Sequence, residues 1–376
     1  NTWDGGHLYG IPQVNSAARL HHMCVRQDLA EKVGQPTIAS YADWERFLYL
    51  VKEKGGGVTP YGAASNETNV LAVPAPTAQF CAESWDDPHM IPLSFSGKSV
   101  FWIPASDAKS TKSSKVIPHW DDPRIIATFK RIRQYYLDGI INKDALQTDN
   151  ATMKSQFTAG KYAAGWAITD GLSSDMLATL KAAVPGAALA NYAPLKGGTS
   201  SKPNQTFQAD NLSVVNANGG DVDRALALQN WLSKKENYDL LNYGIEGTDW
   251  KAVGDNKYEK VSKYSFPGYA LAWRSGLARR TSYMTETESA LLDWAQKYEN
   301  FTPDPFASFI ANSDPIKPEL AQMTTVVTQY CNPLYYGVVD VDSQLDKLRK
   351  AAEGAGLAKM QAEMEKQANS YLSKNA

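Results

Sequence analysis

Residues 40–57, with the sequence SYADWERFLYLVKEKGGG, contain the local pattern from which the fold class follows. Ser40 is followed three positions later by Asp43, which is the spacing of a helix capping box. The glycines that begin at Gly55 end the helical pattern. The apolar residues that recur at helical spacing are Trp44, Phe47, Leu48 and Val51. The stretch therefore predicts an amphipathic helix with one buried face.

Helix signals of the same kind alternate with strand signals along the rest of the chain. Three segments predict strands, the last two of them short and buried: HLYGIP (7–12), KYAAGWAI (161–168) and NLSVV (211–215). Helix starts with an acidic cap, two of them with a first-turn proline, are predicted at Asp122-Pro123, Asp221 and Asp314-Pro315. This alternation predicts an α/β protein with mostly parallel sheets.

The later helices have predicted apolar faces of their own. The helix after Asp122 has Ile125, Phe129, Ile132 and Tyr136; the helix after Asp221 has Ala225, Leu228 and Trp231; the tail has Leu357, Met360, Met364 and Tyr371. Each face implies a covering layer of sheet or helix.

Composition and charge exclude several classes of function. The 376-residue chain has 43% apolar residues, a net charge of −2 and a pI near 6.3. Without a basic excess, nucleic acid is not a predicted partner. No apolar run is long enough to span a bilayer. The three cysteines are too few for a disulfide framework, and Cys24 is predicted to be a small buried hydrophobe.

Motifs for metal binding and catalysis are missing from the sequence. The five histidines form no HExxH pair, and the Asp-Asp-Pro pairs are more typical of helix starts than of metal ligands. The GxSxG nucleophile elbow and both phosphate-binding glycine loops are absent. A glycosidase pair of carboxylates stays open, because such residues come from distant positions. No metal and no cofactor are predicted.

Tryptophans next to polar residues are the more informative signal. Candidate ligand-binding residues are Trp85, Trp166 with Asp170, Asp210 with Asn211, and Trp273 with Arg274. Flat aromatic rings can stack on sugar faces while planar polar side chains bind hydroxyls. The alternative is that each tryptophan fills a core and each polar residue solvates a loop.

At this point the sequence resembles a known family. The stretches that carry the resemblance run from end to end: DGGHLYGIPQVN, VRQDLAEKVGQPTIASYADWERFLYLVKEK, QFTAGKYAAGW, YAPLKG, LLNYGIEGTDW and NSDPIKPELAQMTTVVTQY with the tail that follows it. Each stretch alone is a weak match, whereas the whole set in this order is specific to one family. The chain resembles the extracellular solute-binding proteins (family 1) of ABC importers, in particular oligosaccharide-binding lipoproteins similar to alginate- and aldouronate-binding proteins.

The resemblance implies a fold of the type II periplasmic-binding-protein kind, with two α/β lobes, a multi-segment hinge and ligand held between the lobes. The implied C-terminal lobe comprises 16–211 and 315–376, and the remainder of the N-terminal lobe 1–12 and 216–300. Hinge crossovers are implied near 12–16, 211–216 and 301–314. Family members carry roughly a hundred further residues before YGIP, so an absent N-terminal portion is also expected.

Site residues follow from the resemblance as well. Gln13 and Asn15 lie just after YGIP, where relatives line the cleft, and Trp166 and Trp273 are implied to be aromatic platforms, one from each lobe. Many relatives have a calcium loop after the helix that ends in VKEK. This chain has KEKGGGVTPYGAAS there, without the carboxylate ligands, so no calcium is predicted.

The implied function is binding of an oligosaccharide in the interlobe cleft and its delivery to an ABC importer. The alternatives are a carbohydrate-active enzyme, either a glycosidase or a lyase, and a glycan sensor without transport. The implied partners are the permease subunits, with contact to the membrane only through a lipid anchor outside this chain. A non-enzymatic monomer is expected, extracytoplasmic and lipid-anchored on a Gram-positive cell surface, or periplasmic.

The charge of the ligand stays open in the sequence. Arg274, Arg279 and Arg280 follow Trp273 and could meet a uronate carboxylate. A solvated helix face for the last two is the favoured interpretation, which makes a neutral oligosaccharide the default and an acidic one the alternative.

Overall fold

The structure, a computed structural model, describes residues 3–4, 7–12, 22–64, 90–95, 98–104, 115–167, 172–192, 212–301, 306 and 309–374. The chain divides into two units. The first unit comprises Asn1–Arg19 and Thr206–Tyr298, and the second unit comprises Leu20–Gln205 and Glu299–Ala376. The lobe and hinge boundaries implied by the resemblance stay predictions.

Strands and helices alternate along both units. The strands are β1 (Trp3–Asp4), β2 (His7–Leu8), β3 (Ile11–Pro12), β4 (His22–Arg26), β5 (Thr59–Gly62), β6 (Met90–Phe95), β7 (Lys98–Pro104), β8 (Ile117–Pro118), β9 (Tyr162–Ala167), β10 (Leu189–Tyr192), β11 (Leu212–Ser213), β12 (Trp250–Val253), β13 (Lys257–Lys260) and β14 (Arg280–Thr281). The α-helices are α1 (Gln27–Val33), α2 (Tyr41–Lys54), α3 (Pro123–Asp138), α4 (Asn150–Thr158), α5 (Leu177–Ala183), α6 (Val222–Trp231), α7 (Lys235–Tyr243), α8 (Glu286–Ala295), α9 (Lys317–Val326), α10 (Asn332–Tyr335), α11 (Val341–Gly354) and α12 (Leu357–Lys374). A π-helical segment, Val327–Cys331, joins α9 to α10.

Sheet direction differs from the prediction of mostly parallel sheets. The central sheet of the second unit has the order β10-β4-β9-β5, in which β4 runs antiparallel to both of its neighbours. Among the described strands only β5–β9 and β13–β14 pair in parallel. The prediction is wrong because it assumes one helix between strands. Two helices, α1 and α2, separate β4 from β5, and β4 runs antiparallel to β9 whereas β5 runs parallel to it.

Local helix signals are mostly confirmed. Ser40 and Asp43 form the predicted capping box at α2, and all four predicted face residues are buried. On α3 the predicted face is buried up to Ile132, but Tyr135, with 1% exposure, takes the place predicted for Tyr136, which is half-buried. Helical spacing allows either residue, and packing against α2 selects Tyr135, whose hydroxyl bonds Glu45.

Other predictions in the chain need correction. HLYGIP forms two short strands, β2 and β3, rather than one. The strand in NLSVV is not buried, since Leu212 is 43% exposed in a two-stranded ribbon with β3. The predicted face of α6 is not buried either, because this helix contains no buried residue. Asp314 does not cap α9; it lies inside a preceding 3-10 turn and pairs with Lys317.

The core of the second unit lies between the central sheet and the helices. All six residues of β9 are buried, as KYAAGWAI predicted, and Cys24 has no exposure, as predicted. Trp44 of α2 meets Tyr61 of β5 edge to face, with ring centroids 6.1 Å apart. The tail helix α12 buries Met360 and Met364 of its predicted face, whereas Leu357 and Tyr371 are only half-buried.

Candidate ligand-binding site

The start of β4 and the ends of β5, β9 and β10 lie on the same side of the central sheet. His22 at the start of β4 pairs with Ala167 at the end of β9, and Tyr192 at the end of β10 pairs with Met23. Because β5 is parallel to β9, its end at Gly62 lies on the same side. We call His22, Gly62, Ala167 and Tyr192 the strand-end rim. In open α/β sheets, ligands are bound beyond the carboxyl ends of the strands, where connecting segments meet.

Predicted site residues follow the strand-end rim in the sequence. Asp170 comes shortly after Ala167, and Gln13 and Asn15 come between β3 and β4. Six of the predicted residues lie outside the described part of the chain: Gln13, Asn15, Trp85, Asp170, Asp210 and Asn211. Their roles stay predictions.

Trp166, the remaining predicted residue of this unit, lies next to the rim inside β9. It is 9% exposed and is paired in register with Met23 of β4. The amide of Leu172 donates to the Trp166 carbonyl at 2.8 Å. A Cβ at Gly165 would come within 2.7 Å of Leu172 Cδ1, so a larger residue there would require this buried side chain to move. Trp166 therefore lies beside the strand-end rim, and the residue is largely buried.

The exit of β5 is fixed by two side chains that the sequence analysis did not single out. Asn142 accepts from the Ala63 amide at 2.7 Å and donates to the Ala63 carbonyl at 3.2 Å. The Tyr336 hydroxyl donates to the Ala64 carbonyl at 2.9 Å. Asn142 is buried and comes directly after the run GII. A polar residue directly after an apolar run was the sequence signal for a buried, hydrogen-bonded amide. No local signal marks Tyr336.

In the first unit, Trp273 and Arg274 lie on a segment held by α6 and α7. Gln229 of α6 donates from its side chain to the Leu271 carbonyl at 3.1 Å, and its own carbonyl accepts from Arg274 Nη2 at 3.2 Å. Burial raises the pKa of Tyr238 on α7, and a hydrogen bond from the Arg274 main chain opposes the rise. Both Trp273 and Arg274 are half-buried. The segment thus presents a partly open ring on a braced backbone, which suits stacking on a flat ligand.

The solvated helix face predicted for Arg279 and Arg280 is wrong. Arg279 lies outside the helices, and Arg280 is part of β14. Arg279 pairs with the buried Asp239 at 2.9 Å, and its guanidinium lies 4.7 Å from the ring centroid of Trp250. Tertiary packing overrides the pattern, because Asp239 on α7 is far away in sequence. Asp239 also pairs with Lys235, four residues earlier on the same helix. This i, i+4 spacing was the only sequence signal for the ion pairs around Asp239.

Metal binding and acid–base chemistry have few candidate groups in the described residues. There, no set of three or more His, Cys, Asp or Glu side chains is arranged to hold a metal ion. The absence of calcium after α2 stays a prediction. The buried pair of His119 and Cys331 is separated by 3.7 Å. Burial lowers the pKa of His119 to about 4 and raises the pKa of the Cys331 thiol, so the pair is neutral and shielded from solvent.

Comparison with known proteins finds similarity along the chain. Residues 305–373 match a family described as Domain of unknown function (DUF3502). The chain is 23% identical over 379 residues, covering 98% of this chain and 70% of the relative, to a carbohydrate ABC transporter substrate-binding protein from Streptococcus pneumoniae serotype 4.

Solved structures give the same architecture. The N-glycan transport solute binding protein (NgtS) from Streptococcus pneumoniae superposes with a TM-score of 0.72 at 19% identity, covering 100% of this chain and 78% of that chain. The chain has the solute-binding protein fold. An HMO binding ABC-transporter associated solute binding protein from Bifidobacterium longum infantis superposes with a TM-score of 0.63 at 17% identity, covering 99% of this chain and 78% of that chain.

The solute-binding protein fold confirms the α/β class and the resemblance on which the site residues were chosen. The named relatives are substrate-binding transport proteins rather than enzymes. Within the described residues, the helices are all too short or too polar to cross a membrane. The ligand residues themselves are not tested by the fold, because one fold serves many ligands.

Proposed function

We propose that this chain binds an oligosaccharide and delivers it to an ABC importer, without chemical change of the sugar. The observation that carries the proposal is the similarity of 98% of the chain to a carbohydrate ABC transporter substrate-binding protein. The braced Trp273–Arg274 segment supports it, since a fixed ring and a guanidinium with spare donors suit a pyranose and its hydroxyls.

The proposal also covers the protein partners and the cellular location of the chain. The partners are the permease subunits of the importer, and the protein works as an extracytoplasmic monomer, held near the membrane by a lipid anchor outside this chain or free in a periplasm. These parts rest on the class of the named relative. Co-purification with membrane permeases encoded beside the gene is the corresponding test.

Isothermal titration calorimetry against a panel of tetra- to hexasaccharides tests ligand binding. We expect saturable binding with a Kd of roughly micromolar or tighter for at least one member. Failure of every oligosaccharide to bind, together with binding of a peptide or polyamine, would overturn the ligand class. New reducing ends after incubation would instead support a carbohydrate-active enzyme.

A pair of tryptophan variants locates the binding surface. Trp273→Ala should weaken binding about tenfold, because the stacking ring is lost. Trp231→Ala is the matched control, since Trp231 is a 40% exposed ring in the same unit and is not a predicted ligand residue. Equal losses in the two variants would contradict the assignment of Trp273.

A further inference from the structure

Gln229 on α6 contacts the segment 271–274 at both of its ends. Its side-chain Nε2 donates to the Leu271 carbonyl at 3.1 Å, and its main-chain carbonyl accepts from Arg274 Nη2 at 3.2 Å. Trp273, the predicted stacking ring, lies between these two contacts in the sequence. One helical residue thus brackets the backbone that carries this ring.

The Leu271 carbonyl, at the first end of the segment, accepts from two separate elements. Leu271 directly follows the 3-10 turn Gly268–Ala270, and a carbonyl at the end of a helical turn has no partner within the turn. Besides Gln229, the Ser213 hydroxyl on β11 donates to this carbonyl at 3.2 Å. Donors from α6 and β11 therefore fix the peptide group that begins the segment.

The other end of the segment is held at the C-terminus of α6. Gln229 is the third residue from the end of this helix, so its carbonyl is among the last four, which lack a partner inside the helix. The Arg274 guanidinium supplies a donor there, and its positive charge meets the negative end of the helix dipole. The Arg274 main chain also bonds the Tyr238 hydroxyl on α7. Two consecutive helices thus anchor this end.

Arg274 differs in its partner from the next two arginines. Arg279 pairs with Asp239 at 2.9 Å, and Arg280 pairs with Asp293 at 2.5 Å. Among the described residues no carboxylate pairs with Arg274, which donates to a neutral carbonyl instead. Its contact with α6 is therefore a capping hydrogen bond that leaves the guanidinium further donors.

The Gln229 side chain offers little surface to a ligand. Its Oε1 atom is buried, and its Nε2 atom already donates to Leu271. Its effect on binding comes instead from preorganisation, because loops and side chains that become ordered only on binding reduce affinity. Resting on the proposed oligosaccharide binding, we infer that Gln229 is a positioning residue. It holds the backbone of Trp273 in the orientation that stacking on the ligand needs.

A double-mutant cycle measured by isothermal titration calorimetry tests the inference. The probe is the tightest-binding member of a panel that contains β-1,4-mannotetraose, cellotetraose and maltotetraose. We expect Gln229→Ala to weaken binding about three- to fivefold, Trp273→Ala about tenfold, and the double variant no more than Trp273→Ala alone. A residue that acts through the ring has nothing to act on once the ring is gone.

The other outcomes of the cycle separate the inference from the proposed function. Additive losses, or an unchanged Kd in Gln229→Ala, would overturn the positioning role and leave oligosaccharide binding intact. Wild-type affinity in Trp273→Ala would do the same, because no stacking ring would then be positioned. If no member of the panel binds, the proposed function falls, and the inference falls with it.

Two further variants separate the hydrogen bond from packing. Gln229→Leu keeps the approximate size of the side chain and loses the donor, so it should weaken binding as much as Gln229→Ala does. Asn230→Ala, the matched control at the neighbouring exposed position of α6, should leave the Kd within about twofold. Wild-type affinity in Gln229→Leu would contradict the inference, since packing rather than the donor would then hold the segment.

Discussion

Replacement of Asn142 by alanine tests how the exit of β5 is held. The side chain is 7% exposed and satisfies both the amide and the carbonyl of Ala63, which is itself buried. Alanine would leave two buried main-chain groups without partners, at about 1–1.5 kcal/mol each, so we expect a loss of about 2–3 kcal/mol in the free energy of unfolding. Urea denaturation followed by tryptophan fluorescence measures this loss.

Asn142→Asp gives a sharper version of the same test. Aspartate keeps the acceptor for the Ala63 amide but loses the donor, and it places an anion beside Asp144, whose carboxylate accepts from Asn142 Nδ2 at 2.8 Å. At pH 7 the aspartate variant should therefore be less stable than the alanine variant, and it should recover stability as the pH falls and the new carboxyl is protonated.

The control for both variants is Asn230→Ala on the exposed surface of α6, which should change the free energy of unfolding by less than about 0.5 kcal/mol. If Asn142→Ala matched this control, the hydrogen bonds to Ala63 would not hold the strand exit. If Asn142→Asp were as stable as the wild type, the donor role of Nδ2 would be refuted.

Three further perturbations probe groups fixed by tertiary contacts. Because burial lowers the pKa of His119 from 6.5 to about 4, the unfolded chain binds more protons within that interval. This histidine should therefore cost about 3 kcal/mol of stability as pH falls from 6.5 to 4, a slope that His119→Gln should lack in urea denaturation at each pH. Asp239→Asn should cost about 3 kcal/mol by leaving the guanidinium of Arg279 without its carboxylate, and unchanged thermal unfolding would contradict the buried ion pair. Gln367→Ala should cost about 1 kcal/mol in the same assay, since this side chain bonds both the amide and the carbonyl of Asn312.

Local signals in the sequence were enough for α2 and for the core strand β9. The capping box at Ser40 acts within four residues, so no distant contact is needed to predict it. The same reasoning failed at Asp314, where the cap and proline pattern is present but the residue lies inside a 3-10 turn. It also failed at α6, whose apolar side chains recur with helical spacing and yet remain exposed. Spacing shows which side chains share a face, but it does not show what covers that face.

Long-range contacts decided the candidate site. From its spacing in the sequence, ARR was predicted to be a solvated helical face, whereas Arg279 is held by a carboxylate 40 residues earlier in the chain. Likewise, Ala64 is held by Tyr336 across a sequence separation of 272 residues. Periodicity carries no information about such pairs. Trp273 and Arg274 were therefore candidates from the sequence, whereas Gln229, which hydrogen-bonds their segment, was not.

The sequence by itself determined the helix boundaries with strong caps, the buried face of α2, the α/β class and, through an ordered set of weak motifs, the resemblance to solute-binding proteins. Only the tertiary structure decided the direction of the sheets, the choice of Tyr135 over Tyr136 as the buried residue of α3, and the division of three neighbouring arginines into two ion-paired residues and one with spare donors. The physical reason is range: caps and periodic faces depend on neighbours within one or two turns, whereas charge pairing and strand direction depend on residues brought together only when the whole unit folds.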